Sequence, residues 1–400
     1  MHPSEDIRCT KSRRLEGRRI VLGVTGSIAA VECVKLIREL LRHGADVHPV
    51  LSAAGAKIIH PDSLWFASGH PAITQITGAV EHVSHCGMVK DPAHLLLLAP
   101  CTSNTISKMA CGIDDTPVTT FAATAIGTGI PIMVAPAMHE SMYDHPAVQE
   151  NIRKLQKFGV EFIGPKLEEN KAKMASIDEI VMAVLRKLGK GDLKGKKVLV
   201  IAGATREPID DVRSITNLST GKTGIELALA AWIRGASVEL WYGASPIPPP
   251  SLFPVKRFDT VASLLALVQG IKMAFHAVMV PAAVSDFTVD RARGKLDSGQ
   301  VPELRLKKAP KVIQALRKKF KGLLVGFKAE SRVDDAALEK SAREMMSSSG
   351  ADLAVANDVG KVKADATDII IVPRKGEARK FSGPKAQAAD AILHEVVKLL

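Results

Sequence analysis

Aromatic side chains are scarce: Phe, Trp and Tyr together make 4% of 400 residues. A core must therefore be assembled mainly from aliphatic groups, and the 46% hydrophobic content is enough to exclude wholesale disorder. Cysteine is sparse too. The five (Cys9, Cys33, Cys86, Cys101, Cys111) are odd in number, all lie in the first third and form no CxxC pair. That excludes a disulfide framework or a zinc module, and a reducing cytoplasm is the compartment expected. Long apolar runs are also missing. The longest, near Leu95–Pro100 and Ala228–Ile233, fall far short of the roughly 20 residues that span a bilayer, so a soluble protein without a membrane partner is expected. The basic start lacks the apolar stretch of a secretory signal.

Acidic residues are outnumbered. Asp and Glu total 42 against 54 Lys and Arg, a net charge of +12. Such a surplus suits nucleic acid, an acidic membrane surface or anionic small substrates. One basic cluster, Arg8 to Arg19, precedes the first strand, and residues 1–17 read as a solvated tail. Another, Arg305 to Lys321, holds eight basic residues and no acidic one.

The remaining length suits two or three domains. Strands alternate with helices twice over. Arg19–Val24, Asp46–Leu51, His94–Ala99 and Ile130–Ala135 read as strands, with helical periodicity at 28–43, 141–158 and 176–188. Three glycines in Gly189–Gly195 interrupt the pattern, and it then restarts. Strands follow at 197–202, 237–241, 276–280, 323–327, 352–356 and 368–372, with helices at 220–234 and 385–400. The alternation predicts an α/β fold with a doubly wound parallel sheet at 18–189 and a second, Rossmann-like α/β domain at 190–400.

Ligands of such sheets gather at the carboxyl ends of the strands. Gly23-Val-Thr-Gly-Ser27 sits there, either as a small-residue cradle for a phosphate or as a tight turn into a helix. Leu51-Ser52 ends the next strand. Ala99-Pro-Cys-Thr-Ser-Asn104 offers a cofactor cradle or a helix cap. Pro136 to Tyr143 is a loop able to close over a ligand, or a core-facing turn. His82, His85 and Cys86 invite a metal, but no second cluster with ligand spacing supports one; acid–base or electrostatic work beside a cofactor suits such a His better. In the second half, Gly221 and Gly224 open a helix beside Thr216, Asn217, Ser219 and Thr220. Asp286 follows a strand, where it holds a ribose or Mg2+ or simply forms a turn, and Lys295 to Lys311 carry charge to offset a triphosphate.

Gly-Val-Thr-Gly-Ser-Ile-Ala-Ala (23–30), Glu-His-Val (81–83), Ala-Pro-Cys-Thr-Ser-Asn-Thr (99–105) and Pro-Ala-Met-His-Glu-Ser-Met (136–142) resemble the flavin-dependent cysteine decarboxylases. The resemblance implies a flavodoxin-like domain that binds FMN, with Gly26, Ser27, Ser52, Thr102, Ser103 and Met138 at the cofactor and Met142 on the substrate side. It makes His82 and Asn104 the catalytic residues. Two positions depart from the family. His139 stands where Asn is usual, and Leu167–Met174 lacks the flap cysteine that protonates the product; Cys101, Cys86 and His139 are the substitutes on offer.

Gly-Ala-Thr-Arg-Glu-Pro-Ile-Asp-Asp-Val-Arg, Ile-Thr-Asn-Leu-Ser-Thr-Gly-Lys-Thr-Gly, Ala-Ala-Val-Ser-Asp-Phe and Val-Gly-Phe-Lys-Ala-Glu resemble the phosphopantothenate–cysteine ligase domain. That likeness implies activation of a carboxylate by CTP. Asn217 would act on the acyl-cytidylate and Lys295 would help form it. Asp286 would bind CTP and Mg2+. Lys308, Ala309, Pro310 and Lys311 would lie along the nucleotide, with Phe327 near the base, and Lys340 would replace further nucleotide-contacting lysines. From residue 18 on, the chain thus resembles the bifunctional coenzyme A biosynthesis proteins. The implied activity is CTP-dependent joining of L-cysteine to 4′-phosphopantothenate, then FMN-dependent decarboxylation to 4′-phosphopantetheine, in a cytoplasmic homo-oligomer. Its anionic ligands use the positive charge without a nucleic-acid partner. Two rivals are a binding protein that grips nucleic acid through Arg305–Lys321, and an enzyme active only in its ligase half.

Overall fold

In the computed structural model, which describes residues 2–271, 275–297, 303–361 and 365–400, β1 (Arg19–Val24) is buried from Ile20 onward. A 3-10 turn leads into α1 (Cys33–Arg42), whose Cys33, Leu36, Ile37, Leu40 and Leu41 recur on one buried face. β2 (Asp46–Leu51) follows, then the short helices α2 (Ala53–Ala56), α3 (Pro61–Ser68) and α4 (Glu81–Cys86). β3 (Leu95–Cys101) is buried at every position, as an unbroken apolar run requires when both faces of a strand are covered. The hydroxyls of Thr102 and Thr116 cap α5 (Ser103–Cys111) and α6 (Pro117–Thr128).

Beyond β4 (Ile132–Pro136) the chain forms β5 (Met138–His139), α7 (Glu140–Tyr143) and α8 (Pro146–Lys157). The single helix expected over 141–158 is broken, because His145 caps a new one and Pro146 occupies its first turn, where a missing N–H is no loss. β6 (Glu161–Phe162), the hairpin β7 (Lys166–Glu168) and β8 (Lys171–Lys173), and α9 (Ile177–Leu188) complete this unit. Its main sheet runs β2-β1-β3-β4-β6, all pairs parallel.

The residues before β1 are not the solvated tail that their charge suggests. Leu15 and Ser4 are fully buried, and the N–H groups of Cys9, Lys11 and Leu15 donate to the carbonyls of Leu41, Arg42 and His43. The segment thereby satisfies carbonyls that the end of α1 leaves open. Its cations have acid partners: Arg8 with Glu5, Lys11 with Glu39, Arg13 with Glu16. Met1 lies outside the described residues.

The chain divides into compact units at Met1–Gly189 and Lys190–Leu400. The second begins with β9 (Lys197–Ala202), the antiparallel pair β10 (Arg206–Pro208) and β11 (Ser214–Thr216), α10 (Lys222–Ile233), β12 (Ser237–Tyr242) and β13 (Val255–Arg257). α11 (Val261–Gln269), β14 (Ala277–Val280), the pair β15 (Phe287–Val289) and β16 (Leu306–Lys308), and α12 (Val312–Lys319) follow. It closes with β17 (Leu323–Glu330), α13 (Asp335–Ser349), β18 (Leu353–Asp358), β19 (Ala366–Pro373), β20 (Arg379–Pro384) and α14 (Lys385–Leu399). The sheet order is β13-β12-β9-β14-β17-β18-β19-β20. It is parallel as far as β18, but β19 and β20 are antiparallel, so the sheet is mixed at that edge. Residues of α10 and α14 pack on one face, and those of α11, α12 and α13 on the other. Among the described residues no helix is long and apolar enough to cross a membrane.

Candidate active sites

Each sheet has one place where successive strands turn from building one way to building the other, and there the loops at the strand carboxyl ends part to leave a crevice. In the first sheet it lies between β1 and β3. Thr25 joins the two loops: its hydroxyl donates to the Pro100 carbonyl at 2.9 Å and accepts from the Thr102 N–H at 3.0 Å. Gly26 comes so close to α2 that a Cβ would stand 2.6 Å from Ala54 Cβ. Ser27 accepts from the Ala29 N–H at 3.4 Å, and its own hydroxyl proton stays available to a ligand. The turn is therefore bare backbone and small polar groups beside a helix start, which suits an anionic group.

A cleft of about 1220 Å3 opens from this turn, and Gly26, Ser27, Thr102, Ser103, Met138 and Met142 all line it. Its flap is the β7–β8 hairpin, tied to β5 by the pairs Met138↔Ala172 and His139↔Lys171. The hairpin turns through Glu169 and Asn170, both with positive φ (52 and 57). Lys171 and Lys173 from the flap, and Glu32, Lys35, Glu39 and Arg42 from the α1 wall, also line the cleft. Sequence reasoning missed these charged groups, because the polar face of an amphipathic helix looks the same whether it meets a cleft or bulk water.

Three expected residues do not line it. Ser52 is buried and accepts from the Gly55 N–H at 3.1 Å, capping α2. Asn104 is exposed in the first turn of α5, next to Ser103. His82 is half-buried on α4, and its Nδ1 has no hydrogen-bond partner among the described residues. Of the substitutes for a flap cysteine, His139 lines the cleft. Cys86 and Cys101 are fully buried; burial pushes the Cys86 thiol up to about 12 and raises that of Cys101 as well.

In the second sheet the change of direction falls between β9 and β14. The β14 loop approaches the β9 loop through Thr205, whose hydroxyl accepts from the Ser285 N–H at 2.9 Å and whose carbonyl accepts from Thr216 at 2.8 Å. Asn217 Nδ2 donates to the Ala283 carbonyl at 3.2 Å. The Ala309 N–H donates to the Asp286 carbonyl at 2.9 Å, and Lys311 Nζ reaches Asp286 Oδ1 at 2.5 Å. Asn217, Asp286 and the Lys308–Lys311 segment thus converge. Phe327 packs on the α10–α14 face, whereas Ala309 belongs to the opposite one. Lys340 is exposed on α13 beside Arg343, which is paired with Glu339.

Lys295 is exposed, and its backbone is held by a residue the sequence did not single out. Buried Asp210 accepts from the N–H groups of Val212 (2.7 Å), Arg213 (2.6 Å) and Leu296 (3.1 Å). The Val212 N–H above all, with those of Arg213 and Leu296, holds its carboxyl below the usual range. The Asp211 N–H to the Gly294 carbonyl (3.2 Å) and the Ala292 N–H to the Ile209 carbonyl (2.8 Å) dock the same loop from both sides.

Residues 8–189 match the flavoprotein family and residues 193–400 the C-terminal domain of DNA/pantothenate metabolism flavoproteins. The chain is 47% identical over 404 residues to the coenzyme A biosynthesis bifunctional protein CoaBC of Thermococcus kodakarensis, covering all of both chains. It is 39% identical to the protein of that name from Methanocaldococcus jannaschii, over all of this chain and 98% of the relative. Among solved structures, the DNA/pantothenate metabolism flavoprotein of Streptococcus pneumoniae aligns with 50% of this chain and 98% of its own, at 26% identity and a TM-score of 0.46. The flavoprotein match starts at residue 8, inside the segment whose charge suggested a tail. With both halves matched and relatives alike from end to end, the chain belongs to the family of bifunctional coenzyme A biosynthesis proteins, which join a phosphopantothenoylcysteine decarboxylase to a phosphopantothenate–cysteine ligase.

Proposed function

We propose that the chain converts 4′-phosphopantothenate, L-cysteine and CTP into 4′-phosphopantetheine, ligase half first. The observation that carries this reading is that Gly26, Ser27, Thr102, Ser103, Met138 and Met142 share a cleft at the first sheet's switch point, while Asn217, Asp286 and Lys311 lie on the loops at that of the second. In the ligase half the substrate carboxylate attacks the α-phosphorus of CTP and pyrophosphate leaves. A carboxylate is a poor acylating agent; the mixed anhydride gives the cysteine amine a good leaving group, CMP. Lys295, Lys308 and Lys311 offset charge on the transferring phosphate, and positioning supplies much of the remaining rate. Lys311 is paired with Asp286 without nucleotide. A triphosphate competes for that ammonium and frees the carboxylate for the ribose or for Mg2+. One exposed carboxylate is no cation cage, so Mg2+ is held chiefly by the phosphates it arrives with. Asn217 is assigned to the acyl-cytidylate, and Phe327 to the base.

The residues of the first cleft fit FMN: a cradle at Gly26 that a Cβ would fill, small polar groups around it, and Met138 and Met142 as an apolar wall. When bound there, FMN would supply the two-electron acceptor for oxidation of the cysteinyl thiol to a thioaldehyde, and the donor that reverses it once CO2 has left. His139 lines the cleft next to the flap and is assigned to hold the proton delivered to carbon. His82 and Asn104, outside the cleft of their own chain, retain the catalytic assignment within a homo-oligomer; the exposed apolar Ile28, Val31 and Leu167 suit such contacts. All five cysteines are free, which suits a reducing cytoplasm.

The nucleic-acid alternative loses support from pairing in the basic stretch. Lys307, Lys311 and Arg317 meet Asp290, Asp286 and Asp352, so three of the eight cations are paired within the unit. The test is mass spectrometry of products after incubation with 4′-phosphopantothenate, CTP, Mg2+ and cysteine. 4′-Phosphopantetheine supports both steps; a halt at phosphopantothenoylcysteine removes the decarboxylase assignment, and no product removes both.

A further inference from the structure

We propose that Asp46, His48 and His70 form a binding site for one divalent transition-metal ion of the zinc class. The site sits at the amino-terminal end of β2, whereas the flavin cradle lies at the carboxyl end of β1, and none of the three residues lines the cleft. Residues two apart on a strand share a face, so β2 presents Asp46 and His48 together. His70 arrives from the turn after α3, where Ser68 fixes the backbone: its hydroxyl accepts from the His70 N–H and donates to the His70 carbonyl, both at 3.0 Å.

The three side chains converge on one point. His48 Nε2 lies 2.9 Å from Asp46 Oδ2, and His70 Nε2 lies 2.7 Å from Asp46 Oδ1. The two rings are stacked, with centroids 4.0 Å apart and 20° between planes. One ligand atom from each residue lies within 4.8 Å of the other two. Donors around a tetrahedral zinc with bonds of about 2.0 Å stand roughly 3.3 Å apart, so these contacts need open by only about half an ångström.

A plain hydrogen-bonded Asp–His–His cluster is the competing account, and the surroundings weigh between the two. The His85 ring packs 4.7 Å from that of His48, yet its buried Nδ1 has no partner among the described residues. A closed hydrogen-bond network would use that nitrogen. Arg19 works the other way, with Nε 3.9 Å from Asp46, but its guanidinium is engaged by Asp91 at 2.9 Å, and Arg8 by Glu5 at 2.8 Å. The three carboxylates outnumber the two guanidiniums by one, so the locality stays anionic toward a cation.

Each imidazole would ligate the ion through its Nε2 lone pair. Two imidazoles and one carboxylate leave a fourth position, and it is open to water because the side chains of His70 and Asp46 are 36% and 32% exposed. The ion would clip the edge strand β2 to the turn after α3, and so bind the folded unit in preference to the unfolded chain.

The test uses the untagged full chain, freed of metal by chelation and dialysed against zinc, with bound metal counted by elemental analysis and thermal melting followed in parallel. The expected result is one zinc per chain and a zinc-dependent rise in melting temperature. Both should be lost in His70→Gln and in His48→Gln, with affinity on the order of 10- to 100-fold weaker or worse. FMN content and ligase turnover, which these residues do not touch, serve as the folding control; should His48→Gln fail it, the more exposed His70→Gln decides alone. Equal zinc binding by wild type and His70→Gln, or no binding at micromolar free zinc, overturns the site.

Discussion

Replacing Gly26 by alanine tests the flavin cradle by one methyl group. Gly26 has no left-handed backbone to protect, so the effect is steric. The added carbon would lie 2.6 Å from Ala54 Cβ, 3.2 Å from the Ala54 carbonyl carbon and 3.4 Å from its oxygen. Ordinary carbon contacts fall at about 3.5–4.0 Å, so about 1 Å must be found. Ala54 has no flexible end to yield, and α2 is fixed by its buried Ser52 cap. The turn that carries Ser27 is the part that moves. Overpacking of this kind costs about 1–3 kcal/mol. The free protein escapes it by swinging the turn outward, whereas FMN binding must restore the turn. The dissociation constant for FMN should then rise about 5- to 150-fold, at 1.4 kcal/mol per factor of ten. Titration of the flavin-free chain, followed by quenching of FMN fluorescence, measures this, with ligase turnover as the control on the other unit. A constant within about twofold of wild type, with an unchanged melting temperature, would refute the cradle.

Four further outcomes are expected. Asp210→Asn alters a carboxylate whose Oδ2 accepts from Leu296 in the Lys295 loop and whose Oδ1 accepts from Val212 and Arg213, and it sets an N–H2 group against backbone donors on one side; ligation should slow while decarboxylation of supplied phosphopantothenoylcysteine continues, and equal rates of ligation would remove Asp210 from that role. Because its folded pKa is depressed, the stability Asp210 contributes is present above the ordinary carboxylate range and is lost as pH falls through the folded value, so wild type should gain more stability than Asp210→Asn when pH is raised through that range, as urea titrations at several pH values can show. His139→Ala should slow decarboxylation by about 10²- to 10⁴-fold without loss of FMN, and retention of full activity would return the proton donor to open search. Thiol titration of the native chain should find exposed Cys111 at once, whereas Cys33, Cys86 and Cys101 stay silent until unfolding, with the Cys33 and Cys86 thiols pushed up to about 12 by burial.

The bounds of β1 and β9 could be read directly, because each is an aliphatic run between polar breaks, and those of β2 from its apolar positions alternating with Asp46 and His48. The mixed edge of the second sheet was not legible: Ile369, Ile370 and Ile371 announce a strand but not its direction, which appears only in its antiparallel pairing with β18. The segment before β1 misled for a related reason. Its one fully buried aliphatic residue, Leu15, is too little to show periodicity, and the segment is held by backbone donors that any sequence carries. Motif residues that bind through small size or a strand-end position, such as Gly26 and Thr102, could be located from their strings. Asp210 could not be: its third donor, Leu296, is far along the chain, and nothing local to either residue encodes the meeting.

The same limit explains why net charge was a poor guide to partner. Eight cations without an acid between Arg305 and Lys321 look alike while the chain is read in one dimension, but the fold pairs three of them. Folding brings Asp290 to Lys307, Asp286 to Lys311 and Asp352 to Arg317, each from a different part of the second unit. In the proposed ligase site Lys311 would be the cation a nucleotide engages, because its partner Asp286 belongs to the same crevice. A bound phosphate that takes the ammonium releases a carboxylate at the spot where the ribose or a phosphate-borne Mg2+ would need one. Exposed pairs of this type contribute little stability, so the exchange opposes binding only weakly.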